Sequence, residues 1–525
     1  ERERMNKRRV LLGLLLWVTA NAYGQPHCDN RKIDTSATGG GWGYGLDNHR
    51  YQADSRITPA NVQQLELAWV FKLDDKKDPH SFPLVTRDSV VVGSRSGVLH
   101  ALGKDSGCVR WQFDAGEDIR TAIVAGDGGL IYFGTAGGEV IALNLADGSL
   151  AWRSKVHSHF AAMVTGSPTY HDGRLYVPVS SFEMFVAVIP VYPCCDFQGA
   201  VVVFDAKTGK YLWHRNTIDE PAKKVGTRWF VIPRYAPSGV PVWSAPAIDT
   251  QRAQIVIGTG ENYSAPASAN SDSIMALGLK DGQVRWSKQF TANDTWNVSC
   301  ETPFTANCPE NAGPDFDFGA PPILHALPGG RDIVLAGQKS GMVYALNAKD
   351  GEEIWRYRSG RGGKLGGIHW GMAIEPRKNR LFVPISDRTS SWIINRDTEG
   401  PARSGVIALD IATGRELWHA PVVGGCNNRE DCHEGVSASL TSSAGLVWAG
   451  GLDGILRVFD SATGEPVWSF DTWGPLTAVN GLAEGGSMDV HGAYVDRDMV
   501  FVSSGYNSFD QKGGNAFVAF RLPKE

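Results

Sequence analysis

The chain has 525 residues, 42% of them hydrophobic and 20% charged, with 61 glycines, 17 tryptophans and a net charge of −5. Such a composition belongs to a folded, aromatic-rich protein, and without a basic stripe it argues against nucleic acid as a partner. The length alone suggests several domains, but one repeated phrase runs from about Trp69 to the end and argues for a single body.

At the N-terminus, Lys7, Arg8 and Arg9 precede an apolar run over residues 10–20, followed by the small-residue stretches "ANA" and "YGQ". That run is too short to anchor in a bilayer, so residues 5–24 read as a cleaved secretory signal and residues 1–4 as a mis-assigned start ahead of Met5. The expected division is a signal over residues 1–24 and one domain over residues 25–525, exported and without a membrane span.

From Trp69 onward, segments such as "VVVFDAKTGKYLW", "MVYALNAKDGEEIW", "VIALDIATGRELW" and "LRVFDSATGEPVW" end at Trp213, Trp355, Trp418 and Trp468. Looser copies end at Trp111, Trp152 and Trp286, and "LELAWVF" adds Trp69. Each reads as an alternating strand, a tight turn closed by glycine, and a second strand ending on a large aromatic. The gaps between these tryptophans are 42, 41, 61, 73, 69, 63 and 50 residues, which predicts an all-β, eight-bladed propeller with loop insertions between Trp152 and Trp418. Long insertions in a compact body are where a site is expected. The strands "DMVFVSSGY" and "NAFVAFRL" follow the last full unit and are expected to pair with the strand around Trp69, closing the ring.

Eight cysteines fit an exported chain. Cys300 with Cys308 and Cys426 with Cys432 would each staple a loop, and Cys28 with Cys108 would fasten the N-terminal arm. Cys194 and Cys195 are then left as a vicinal disulfide, against the alternatives of separate partners or two free thiols. No Cys-x-x-Cys-His occurs: His433 follows Cys432, but Arg429 stands where the first cysteine would be. The sequence therefore offers no haem attachment point, and it has no zinc-spaced cluster, Walker loop or Gly-x-Ser-x-Gly elbow.

Several insert motifs carry a more specific signal. The stretches "WGYGLDNHRYQADSRITPANVQQLELAWVF", "YPCCDFQGAVVVFDAKTG", "GTGENYS", "GPDFDFGAPPIL" and "VNGLAEGGSMD" together resemble the pyrroloquinoline quinone (PQQ)-dependent alcohol dehydrogenases, in particular their polyvinyl alcohol dehydrogenase-like branch. The resemblance covers residues 35–525 and lacks the haem domain that precedes the propeller in that branch. It implies a periplasmic quinoprotein that uses PQQ and Ca²⁺ to oxidise an alcohol and passes electrons to a separate acceptor such as a cytochrome c. The alternatives are a non-catalytic propeller scaffold of outer-membrane assembly and a sensor that binds PQQ or a polymer.

PQQ is a flat tricarboxylate ortho-quinone, which calls for an aromatic floor, cations and hydroxyls for the carboxylates, and a hard metal ion. By resemblance, Arg120 in "DIRTAIVAG" pairs with a cofactor carboxylate, and the Thr165 and Ser180 hydroxyls contact the cofactor. Glu183, fifteen residues after Pro168, matches the metal-binding glutamate, since a carboxylate among Phe182, Met184 and Phe185 needs a cation. In "GTGENYS", either Glu261 or Asn262 supplies a further metal oxygen, with Asn262 favoured. Trp243 matches the aromatic floor. Asp317 in "DFDFG" matches the general base, with a place at the metal, and Asp315 is its support or a decoy. Lys339 in "GQKSG" matches the cation beside the quinone oxygens. His369, followed by Trp370, stands where relatives place an asparagine, and Asn480 and Gly481 are expected to reach the centre. Cys194 and Cys195 are grouped with the cofactor contacts, although they follow Glu183 here and precede the metal glutamate in methanol dehydrogenase-type relatives.

Overall fold

The computed structural model describes residues 26–28, 32–36, 40–74, 78–388 and 400–524. The expected signal segment, residues 1–24, lies outside them. Most described strands form eight blades built on four antiparallel strands; Tyr51–Gln52 adds to one in parallel and Ala162–Met163 to another antiparallel, three two-stranded sheets lie outside them, and the described α-helix is a single turn, Glu183–Val186. Blade 1 begins at Leu84–Val85, blade 2 at Val124–Ala125, blade 3 at Thr169–His171, blade 4 at Ala247–Asp249, blade 5 at Ile323–Ala326, blade 6 at Ala373–Glu375 and blade 7 at Thr441–Ser443. Blade 8 contains three C-terminal strands, and its fourth strand, Glu66–Lys72, comes from the N-terminal side and pairs with Ala516–Arg521. The ring is thus closed as expected, which leaves no open sheet edge at the junction.

The repeated phrase has a physical explanation in the contacts between blades. In Trp69, Trp111, Trp152, Trp355 and Trp418 the indole N–H donates to a carbonyl of the next blade: Lys104, Leu145, Ala206, Ile411 and Ser461 respectively. The same rings lie on turn glycines of that blade; a Cβ at Gly414 (φ 71°) would meet the Trp355 ring at 2.6 Å. Asp410 Oδ1 holds the same turn by accepting from the N–H and hydroxyl of Thr413, which explains the Asp-x-x-Thr-Gly spacing. Trp213 keeps the ring contact, to Gly282, but its indole nitrogen has no partner among the described residues. Trp468 packs instead against Phe470 and Phe520.

Residues 42–52 fill the centre of the ring. Their carbonyls accept from the innermost strands of four successive blades: Leu46 from Ile248, Asp47 from Leu324, His49 from Ile374 and Arg50 from Ser442. The Arg50 side chain is fully buried, donates to Trp42 O, Leu440 O, His491 O and the Thr441 hydroxyl, and lies 4.8 Å from the Trp42 ring and 4.4 Å from the Phe82 ring. With this segment in the axis, the cavity described next is formed by blade loops.

Candidate active site

A cavity of about 720 Å³ is lined by Arg120, Thr165, Ser180, Trp243, Glu261, Asp315, Asp317, Lys339, His369 and Trp370, among others. Seven sequence-predicted site residues from seven separate loops or strand ends therefore converge with the acid pair of "DFDFG". This size is typical of a site for a small organic ligand.

Lys339 organises the polar end. Its ammonium donates to Asp315 Oδ1 at 2.6 Å and to Asp317 Oδ2 at 3.3 Å, and all three side chains are buried. Asp317 also accepts the Trp243 indole N–H at 3.0 Å through Oδ2 and the Glu261 backbone N–H at 3.0 Å through Oδ1. Asp317 therefore carries three donors, whereas among the described residues the Asp315 carboxylate accepts only from Lys339. Asp315 is held in the left-handed region (φ 59°) by Asp294, whose carboxylate accepts the Asp315 and Phe316 N–H groups.

Glu261 completes the acid group. Its ligand oxygen and those of Asp315 and Asp317 lie within 4.8 Å of one another, and Glu261 Oε1 is buried without a hydrogen-bond partner among the described residues. Burial first, then Asp317 and Asp315, hold the Glu261 carboxyl well above the usual carboxylate range. Burial raises Asp315 as well, against the pull of Lys339. Burial alone would depress the Lys339 ammonium, but Asp315, Asp317 and Glu261 raise it. Three buried carboxylates and one ammonium leave an excess of negative charge, which favours a cation or bound protons. Acidic oxygens of this kind suit a hard ion whose remaining ligands come from elsewhere.

The flat wall is Trp243. A Cβ on Gly319 would fall 1.8 Å from the indole Cη2, so the glycine is needed for the ring to stand there. Trp370 and His369 meet the indole edge-to-face at 5.2 and 5.8 Å. Burial, followed by Lys339, Arg120 and Arg388, depresses the His369 imidazole well below its ordinary value, so it is neutral near pH 7. The Arg120 guanidinium lies 4.6 Å from the Trp370 ring and donates to the Tyr506 hydroxyl at 3.2 Å. Arg120 forms no ion pair among the described residues, and its Nε is buried without a partner. Ser180 donates to Thr165 at 2.7 Å, placing two hydroxyls on the cavity wall.

Other expected residues stand elsewhere. The Asn262 amide donates to Ser238 O, and its oxygen accepts from the Ser268 N–H and hydroxyl, so it is the neighbouring Glu261 that faces the acid group. The Glu183 carboxylate accepts from the Tyr192 hydroxyl and from the N–H groups of Asp196 and Phe197, and it groups with His159 and Asp196. These donors meet its buried charge locally, and the ligand atoms of His159, Glu183 and Asp196 lie within 4.8 Å of one another as a second group beside that of Glu261, Asp315 and Asp317. Asn480 forms a two-way pair with the Lys72 backbone, and with Gly481 it turns a hairpin away from the cavity wall. Cys194 and Cys195 form the expected vicinal disulfide, but they lie in an apolar core with Val179 and Phe197 and do not line the cavity. The other three expected pairs, Cys28–Cys108, Cys300–Cys308 and Cys426–Cys432, are also present. Sequence reasoning missed Asp294, which supports the Asp315 turn and stands in no motif singled out in the sequence, and Tyr506 beside Arg120, which ends the stretch "DMVFVSSGY" read only as a ring-closing strand.

Comparison with known proteins agrees with this geometry. Residues 188–360 match the family described as glucose/ethanol/alcohol dehydrogenase, beta-propeller domain, and residues 53–228 match that of outer membrane protein assembly factor BamB. A polyvinylalcohol dehydrogenase of Pseudomonas sp. is 37% identical over 507 residues, covering 92% of this chain and 76% of the relative. Another, from Sphingopyxis sp. (strain 113P3), is 35% identical over 489 residues, covering 90% and 73%. The solved quinohemoprotein alcohol dehydrogenase ADHIIG of Pseudomonas putida HK5 superposes with a TM-score of 0.68 at 18% identity, covering 93% of this chain and 80% of that one. BamB of Moraxella catarrhalis shares the ring at a TM-score of 0.52 and 14% identity, covering 87% and 99%. Ring and cavity together are those of a propeller oxidoreductase that acts on alcohols. The chain belongs to the PQQ-dependent alcohol dehydrogenase family, in its polyvinyl alcohol dehydrogenase-like branch.

Proposed function

We propose that this protein is a periplasmic quinoprotein that oxidises secondary hydroxyl groups, including those carried on a polymer, to ketones, using PQQ with Ca²⁺ and delivering electrons to a separate carrier such as a cytochrome c. The observation that carries the cofactor reading is an Arg120 that forms no ion pair among the described residues, together with three buried carboxylates that the single Lys339 ammonium does not neutralise. Arg120, Thr165 and Ser180 would hold carboxylates of PQQ, Trp243 would lie along its rings, and Glu261 and Asp317 would hold the metal. When bound, PQQ supplies a two-electron acceptor for the hydrogen leaving the alcohol carbon as hydride.

The chain's own part is proton handling and positioning. We assign the general base to Asp315 rather than Asp317. Asp317 already accepts three hydrogen bonds, while among the described residues the Asp315 carboxylate accepts only the Lys339 ammonium, through Oδ1, which leaves its other oxygen for a substrate hydroxyl. Asp315 takes the hydroxyl proton, and Lys339 holds the resulting pair in place. The secondary-alcohol specificity rests on the two polyvinylalcohol dehydrogenase relatives. The test is Asp315→Asn against Asp317→Asn in enzyme loaded with PQQ and Ca²⁺. Asp315→Asn is expected to lower kcat by about 10²-fold or more with cofactor binding kept. Asp317→Asn is expected to weaken cofactor and metal binding first. Full turnover in Asp315→Asn would move the base elsewhere.

A further inference from the structure

Away from the catalytic cavity, a two-stranded hairpin, Lys223–Arg228 with Ile232–Ala236, pairs with no blade. Its tip is Trp229, Phe230 and Val231, and Phe230 is 97% exposed. Trp229 and Phe230 both adopt left-handed backbone conformations, with φ of 47° and 65°. Tight hairpin turns at positive φ ordinarily use asparagine or glycine, and bulky aromatics there are strained. Strain of this kind marks a segment retained for something other than stability.

The tip is part of a larger apolar surface. Arg228 donates to Ala306 O, Asn307 Oδ1 and Pro190 O, fastening the hairpin to two neighbouring loops. Those loops expose Phe304, Ile189 and Val191. Six of the fifteen large apolar residues that are exposed among the described residues therefore lie on this one surface. Such a concentration marks a contact surface rather than scattered exposure.

Charge selects the partner. Residues 223–236 contain Lys223, Lys224, Arg228 and Arg234 and no acidic residue, and Lys223, Lys224 and Arg234 are exposed. A projecting aromatic tip flanked by cations matches an anionic lipid surface, in which tryptophan and phenylalanine sit at the headgroup level while lysine and arginine meet phosphate. We infer that this hairpin docks the protein peripherally on an anionic membrane. The loop carrying Ile189 and Val191 directly follows Phe185 and Val186, which line the cavity, so docking brings the mouth of the catalytic cavity close to the lipid surface. This inference does not depend on the cofactor or substrate assigned above.

The test is co-sedimentation of the full chain with vesicles of phosphatidylcholine plus phosphatidylglycerol, and with phosphatidylcholine alone, at low and high salt. Binding is expected on the anionic vesicles, falling with salt. It should weaken about tenfold or more in Trp229→Ser/Phe230→Ser and in Lys223→Glu/Lys224→Glu. Val423→Ser, an exposed apolar residue 70% accessible elsewhere on the ring, should bind like the unaltered protein. An unchanged thermal unfolding midpoint checks that the variants are folded. Absence of binding, equal binding to both vesicles, or hairpin variants that bind normally would overturn the inference. So would a hairpin effect confined to the KM for a polymeric alcohol, which would assign the surface to the substrate chain.

Discussion

Lys339→Met removes the ammonium that holds Asp315 and Asp317 together. At an effective dielectric of about 20, the 2.6 Å and 3.3 Å contacts correspond to gross attractions of about 6 and about 5 kcal/mol. Most of that offsets the desolvation of the three charges, and breaking a buried pair from one side typically costs about 3–5 kcal/mol net. The variant in chelator is expected to unfold at clearly lower guanidinium concentration than the unaltered protein. Added Ca²⁺ is expected to recover part of the loss by neutralising the same acids. The double variant Lys339→Met/Asp315→Asn should lose less than the sum of the single changes, because it removes both members of the shorter pair. A Lys339→Met midpoint within experimental error of the unaltered protein would refute the claim that one ammonium supports this acid group.

Gly319→Ala places a methyl in the Trp243 ring and should weaken PQQ binding by about tenfold or more with the ring fold intact, checked by quinone absorbance during titration. Cys194→Ser/Cys195→Ser should lower the unfolding midpoint yet leave PQQ affinity within about threefold, because the pair lies in the blade core, as ligand titration and thermal melts can show. His80 is buried between Asp78 and Asp118; burial opposes its charged form, but the two carboxylates raise it to about 9. A raised histidine stabilises the fold fully below its unfolded value of about 6.5 and loses that contribution as pH rises through about 9, a span worth about 3 kcal/mol at most. Melts from pH 6 to 10 should therefore fall less steeply in His80→Gln than in the unaltered protein.

The architecture was legible because its cause is local. Each blade repeats one tryptophan, one turn glycine and one hydrogen-bonded turn, and these contacts recur at a readable spacing. Arg120, Thr165, Ser180, Trp243, Glu261, Lys339 and His369 were also legible, since each sits in a short motif beside a strand end. The sequence does not show where a side chain points when its direction depends on distant partners. Asn262 and Glu261 are adjacent in a strand-like segment, so a one-residue difference decides which faces the cavity, and Ser238 and Ser268 capture the asparagine. Glu183 meets its donors nine to fourteen residues later, at Tyr192, Asp196 and Phe197. The Asn480 partner, Lys72, is 408 residues away across the ring closure. Nor did the sequence reveal that residues 42–52 fill the ring axis, since those contacts span four blades.

We propose that Arg120, Trp243, Lys339 and the Glu261–Asp315–Asp317 group together form a site for PQQ and a hard cation. The most direct test is the quinone absorbance and dye-linked oxidation of a secondary alcohol by purified protein given PQQ alone, Ca²⁺ alone or both. A protein-bound quinone spectrum and turnover are expected only with both, and loss of each in Arg120→Ala. Full turnover in chelator without metal, or binding and activity indifferent to Arg120→Ala, would contradict this assignment.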